Sequence, residues 1–126
     1  MRGSAAIVSV LVRNQAGEVL KAALQGGGLA AAERELDAEW GREALYGGRV
    51  RLFTPLTLEA MLQEASFTVI ALRGVRAIAD YLPAQISRVA EYERIFELER
   101  RLGARKEFVG VARYLHALAR PRAGGR

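Results

Sequence analysis

The sequence predicts an α/β fold: about three strands in a mixed sheet, with helices flanking it. Three observations carry that expectation. An almost continuous apolar run rich in β-branched residues opens the chain at 5–12. A well-marked helix start at Thr54-Pro55 leads into a second β-branched run at 67–72. A closing segment at 114–119 alternates in polarity with a period of two. A helix feeding directly into such a strand is the repeating unit of an open sheet.

The first run is apolar on both faces, the pattern of a strand buried on both sides. Arg13, Asn14 and Gly17 close it with turn-forming residues. Asn14 reads in two ways, as a turn former or as a polar group at the carboxyl end of a strand, where open α/β sheets hold ligands. Residues 18–24 follow as a short helix, ended by Gly26, Gly27 and Gly28. That triplet is a linker rather than a phosphate loop. A phosphate loop follows a strand, opens a helix and spaces its glycines, whereas this one follows a helical segment.

Residues 29–40 read as a helix with Leu29, Ala32, Leu36 and Trp40 on one side. Glu33, Glu35, Asp37 and Glu39 make its solvated faces; with no histidine among them they do not spell a metal site. Gly41 and Gly47-Gly48 break this segment into a loop containing Tyr46.

Thr54 is expected to cap the next helix, with Pro55 at its first position and Phe53 stapled onto Leu58. Leu58, Met61, Leu62 and Ala65 recur at helical spacing and mark its buried face. After the strand at 67–72, Gly74 reads as a bulge or bend. Arg76, Asp80 and Tyr81 follow on the chain leaving the sheet. Structurally they suggest an Arg76–Asp80 ion pair with Tyr81 packed over it, worth about 0–1 kcal/mol if exposed. Functionally they suggest a cluster that contacts a substrate.

Ser87 is placed to start a helix over 88–102 whose apolar side is Tyr92, Ile95, Phe96, Leu98 and Leu102. Glu97 and Arg101 form an i,i+4 pair along it, and Gly103 ends it. Residues 107–112 add a helical turn. In the closing strand Tyr114, His116, Leu118 and Arg120 share one face, and Leu115, Ala117 and Ala119 the other.

Length and composition bound the function. The 126 residues suit one domain, 1–126, with 121–126 as a flexible basic tail. With no cysteine, disulfide frameworks and thiolate metal sites are excluded. A single histidine, His116, excludes a multi-histidine site within one chain, so no metal is expected. No apolar run approaches the about 20 residues of a membrane span and none is framed as a signal peptide. The expected compartment is the cytoplasm, with no membrane partner. A net charge of +5 and a pI near 10.2 favour a polyanionic partner such as RNA.

Three motifs stand in order near the end of the chain. Gly-Val-Arg at 74–76 is followed by Asp-Tyr-Leu at 80–82; Tyr92-Glu93 is followed by Leu98-Glu99; and Arg113-Tyr114-Leu115-His116 closes the set. This ordered set resembles the C-terminal half of class I S-adenosylmethionine-dependent methyltransferases and is similar to the tRNA 5-carboxymethoxyuridine methyltransferases. The resemblance covers nearly the whole chain, from 5 to 120. It implies part of a Rossmann-like sheet in which 5–12 is the fifth strand, 67–72 the sixth and 114–119 the seventh. In that family the seventh strand is antiparallel and inserts between the other two.

The resemblance also implies roles. The substrate-side residues would be Arg13, Asn14, Arg76, Asp80, Tyr81, Tyr114 and His116. Arg76 would pair with an anionic acceptor, and Tyr81 and Tyr114 would stack on a base. His116 is open between a packed, hydrogen-bonded histidine and a general base. The family's cofactor-binding turn and ribose-binding acid have no counterpart in this sequence. The chain is therefore expected to be inactive alone, and to meet S-adenosylmethionine only with an N-terminal half supplied. Without a fourth strand the edge of 5–12 would be a template for pairing. Its expected cover is a second copy, a separately encoded N-terminal half or a helix from 18–40. The alternative expectation is a non-catalytic dimerisation or partner-binding module derived from a methyltransferase, with RNA as a further contact.

Overall fold

A computed structural model of the chain describes residues 6–42 and 47–122. Ala5, the loop residue Tyr46 and residues 123–126 of the expected tail lie outside the described residues. The opening apolar run forms β1 (Val8–Asn14), which starts and ends later than expected and passes directly into α1 (Gln15–Leu24). Gly28, at φ 84°, opens α2 (Gly28–Glu35), a backbone conformation that glycine adopts without steric cost. A hairpin follows, β2 (Trp40–Arg42) and β3 (Arg49–Phe53), then α3 (Pro55–Glu64) and β4 (Phe67–Val75). A short 3-10 turn (Ala79–Tyr81) leads to α4 (Tyr92–Leu102), α5 (Lys106–Val109) and β5 (Tyr114–Pro121).

The strands form one sheet in the order β2-β3-β1-β5-β4, five strands rather than about three. β5 is antiparallel to both of its neighbours, so β1 and β4 point the same way, and β3 runs parallel to β1. The last strand is thus antiparallel and lies inside the sheet, as expected.

Of the two additional strands only Trp40 falls in the segment expected as a helix to residue 40; the rest lies in the expected loop and in the stretch before Thr54. α2 stops at Glu35, Asp37 turns the chain at φ 67°, and Trp40 pairs opposite Arg51. Ala32 of the stripe is buried, but Leu36 and Trp40 stay exposed, so beyond Glu35 nothing rewarded further helix and strand pairing overrode helix propensity. The Arg49 guanidinium lies 4.4 Å from the centre of the Trp40 ring.

Other differences are smaller. Phe53 ends β3 and is buried with Leu58 in the core. Gly74 does not break its strand, because β4 runs to Val75 and its irregularity falls between Val69 and Ala71. α4 begins at Tyr92; the Ser87 hydroxyl instead accepts the Ala90 N–H in the preceding turn, at 3.1 Å. At the far end Pro121 still pairs with Phe67, and the Arg122 N–H donates to the Ser66 carbonyl at 2.8 Å. The tail therefore cannot begin at 121.

The helix start at Thr54 is as expected. The Thr57 N–H donates to the Thr54 hydroxyl at 3.1 Å, and the Thr54 N–H donates back to the Thr57 hydroxyl at 2.8 Å. Leu58 and Leu62 turn inward, whereas Met61 and Ala65 stay exposed. Their core partners are Leu115, Ala117 and Ala119 of β5 and Val109 of α5. The other face of the sheet carries Leu11, His116 and Arg73 in register, and there Leu11 is 61% exposed.

Two close approaches set the ends of the sheet. A Cβ on Gly17 would lie 2.4 Å from the Ala112 carbonyl oxygen, and one on Gly103 would lie 2.4 Å from that of Gly74. Glycine is what lets α1 and the end of α4 sit against those backbones. β3 pairs with β1 only at Arg13–Leu52 and Asn14–Phe53. Among the described residues, the same flank of β1 over 8–12 has no strand beside it.

Candidate functional site

Because β1, β3 and β4 share one direction, their carboxyl ends meet on one rim, together with the amino end of β5. That rim is where open α/β sheets hold ligands. It brings Arg13 and Asn14 of β1 near Arg76, Asp80 and Tyr81 after β4 and Arg113 and Tyr114 at the start of β5. α1 adds Glu18.

The charged members form one network. One Asp80 carboxylate oxygen meets Arg76 and the other meets Arg113, the latter at 2.5 Å. Arg113 also lies 3.6 Å from Glu18, which is 3.9 Å from Arg13. Three guanidiniums therefore face two carboxylates, a net positive cluster. The Arg113 and Asp80 side chains are nearly buried, whereas that of Arg76 is 50% exposed. Arg76 is the most exposed member. Its backbone is left-handed at φ 64°, a strained conformation for a residue with a side chain, and its carbonyl accepts the Arg113 N–H at 3.1 Å.

Burial opposes the charge on Arg113, but the Asp80 hydrogen bond and the Glu18 carboxylate outweigh it and hold its pKa above the ordinary value. The Tyr81 hydroxyl is buried with no hydrogen-bond partner. Burial raises its pKa, Arg113 pulls it down, and the carboxylates of Asp80 and Glu18 push it up again, so the net shift is upward.

Asn14 has a different occupation from the one expected. It is fully buried, and its amide donates to the carbonyls of Val109, Gly110 and Ala112 at 3.3, 3.0 and 2.8 Å. It ties the turn before β5 to the end of β1 and presents no donor to the rim. Tyr114 is half-buried, with the Arg113 guanidinium 5.5 Å from its ring centre. His116 lies within the sheet, between Leu11 and Arg73, and its Nε2 is 2.7 Å from the Ser9 hydroxyl. The rim cluster does not include it.

Sequence reasoning missed three members. Arg113 stood inside a quoted motif without a role. Glu18 has only its place in the first turn after β1 to signal it. Glu99 accepts the backbone N–H groups of Ala77, Ile78 and Ala79 at 2.6, 3.1 and 2.6 Å, fixing the turn that carries Asp80. Its signal was the Leu-Glu of the second motif.

Beside Arg76 a cleft of about 380 Å³ opens between the 75–82 segment and α4. Val75, Leu82, Ile95, Tyr92 and Phe96 form its apolar wall, and Arg76 and Arg88 stand at it. A larger hollow of about 610 Å³ lies along α3 and includes Thr57, already engaged in the helix cap. None of the charged residues of the rim network lines it. Among the described residues no group of acidic or histidine side chains is placed to hold a metal, and no helix is long and apolar enough to cross a membrane. Compared with known protein families and with curated proteins, the chain finds no match.

Proposed function

We propose that this chain is the substrate-side, C-terminal portion of an S-adenosylmethionine-dependent methyltransferase, acting on tRNA or a small anionic acceptor and inactive alone. The observation that carries the reading is the strand order, in which an antiparallel last strand sits between two parallel ones. The resembling motifs Gly-Val-Arg, Asp-Tyr-Leu and Arg-Tyr-Leu-His supply the rim around Arg76, Asp80 and Arg113. In this reading Arg76 binds the anionic group of the acceptor, and the buried Asp80–Arg113 pair holds the Arg76 loop in place.

The cofactor does not fit the residues present. Such a site needs a glycine-rich turn that leaves a strand and opens a helix. Among the described residues, the glycines 26–28 join α1 to α2, and the strand-to-helix passages at Asn14-Gln15 and Thr54-Pro55 are not glycine-rich. Cofactor binding is therefore assigned to a separate N-terminal portion, and no step of the reaction is assigned to this chain alone.

Calorimetric titration of the chain with S-adenosylmethionine tests the reading: no heat of binding is expected, and tight binding overturns the division of labour. Retention of tRNA that falls as salt rises is expected as well.

A second reading, a non-catalytic module that pairs with a copy of itself, is favoured by the open flank of β1 and by Ile7 and Leu11, 55% and 61% exposed. Light scattering decides it. A strictly monomeric chain at high concentration removes this reading.

A further inference from the structure

We infer that the cleft between Arg76 and α4 holds one unpaired nucleotide, with its base against Tyr92 and Phe96 and its phosphate at Arg88 and Arg76. The inference takes its class of ligand from the RNA-acceptor reading above; the site rests on geometry of its own.

α4 buries none of its residues fully, although it is strongly two-sided in sequence. Tyr92 and Phe96 are 62% and 56% exposed, yet their rings stack with centroids 6.1 Å apart and planes within 19°. They form an aromatic surface within the apolar wall of the cleft, which is what the face of a base requires. The volume of about 380 Å³ lies within the range of small-ligand sites.

The charge at the cleft is suited to a phosphate. Arg88 donates to a neutral acceptor, the Ala79 carbonyl, at 3.1 Å. Arg76 shares its carboxylate, Asp80, with Arg113. The acid in the wall, Glu99, is occupied by three backbone N–H groups. Two guanidiniums therefore flank an apolar aromatic slot, and a planar ring bearing an anionic group satisfies both parts. A duplex does not offer a free base face, so the nucleotide must be unpaired.

The test is fluorescence anisotropy of an end-labelled oligouridylate of about eight nucleotides with the full chain, across a salt series. Phe96→Leu, which keeps apolar bulk but removes the ring, and Tyr92→Ala are each expected to weaken binding about 5- to 100-fold at fixed salt. Their salt slopes should match that of the unaltered chain, whereas Arg88→Gln should lower the slope by about 0.7. Thermal unfolding of each variant is expected to be unchanged, since these side chains are exposed. Heparin, a polyanion without bases, should bind the Phe96→Leu and unaltered chains equally.

Oligouridylate binding that is indifferent to both ring substitutions overturns the cleft while leaving RNA contact standing. Equal losses for heparin and oligouridylate overturn it too, as does no binding at about 50 mM salt. The S-adenosylmethionine titration is judged separately from all three.

Discussion

The Asp80 carboxylate meets the Arg113 guanidinium at 2.5 Å, although the two residues are 33 positions apart in sequence. Their side chains are only 11% and 7% exposed, so the pair is an interior one. Removing one partner of such a pair leaves a charge without compensation. Asp80→Asn is expected to lower stability by about 3 kcal/mol in urea unfolding. Arg76→Gln, which breaks the outer arm of the same network, should cost under about 1 kcal/mol because that guanidinium is half exposed.

The carbonyls that Asn14 serves belong to the last residue of α5 and to the turn between it and β5. Asn14→Leu keeps the volume but withdraws the donor from buried acceptors, so a loss of about 2–4 kcal/mol is expected. Asn14→Asp places a carboxylate against the same oxygens and should be less stable still at neutral pH. Chemical denaturation of both variants checks the order.

Tyr81 makes the alkaline limb of stability informative. Its folded pKa is raised above the ordinary 10.0, chiefly by burial. Below about pH 10 the hydroxyl is protonated in both states and contributes no slope. As pH rises from there the unfolded chain ionises first, so stability is lost until the folded pKa is passed. Tyr81→Phe should remove that part of the alkaline loss. At pH 7 it should change stability by less than about 1 kcal/mol, since the hydroxyl has no partner to lose. Urea midpoints between neutral and strongly alkaline pH measure both effects.

Gly103→Ala is expected to destabilise by about 1–3 kcal/mol, because the added methyl would press on the Gly74 carbonyl. It should also weaken the bond from the Gly74 N–H to the Gly103 carbonyl, 2.9 Å long. Gly48→Ala is the matched control: nothing lies within 4 Å of its added carbon, and no loss is expected. Thermal unfolding of the two side by side checks the contrast.

Much of the sheet was legible because its signals are local. The apolar run at β1, the Thr54-Pro55 cap and the alternation of β5 each depend on neighbours within a few residues. The β2–β3 hairpin was not legible. Its strands are short, and Trp40 sits where the helical stripe of α2 would place it, so only its pairing with 49–51 revealed it. The site divides the same way. The Arg76–Asp80 pair lies within one stretch of chain and was expected from it. Glu18 and Arg113 join that pair only because β1 and β5 are neighbours, a relation that spacing does not contain. For Asn14 the strand-end position left a turn former and a ligand-facing group both open. Its side chain turns instead towards the carbonyls before β5.

The two-residue seat of β3 on β1 limits what can join the sheet. A newcomer laid along residues 8–12 has about 16 Å of seam before it runs into Leu52. It must stop short there, or lift the hairpin away and take its berth. Trp40, the lone indole of the chain, rides on that hairpin under the Arg49 guanidinium. Its emission is thus a built-in gauge of which of the two has happened.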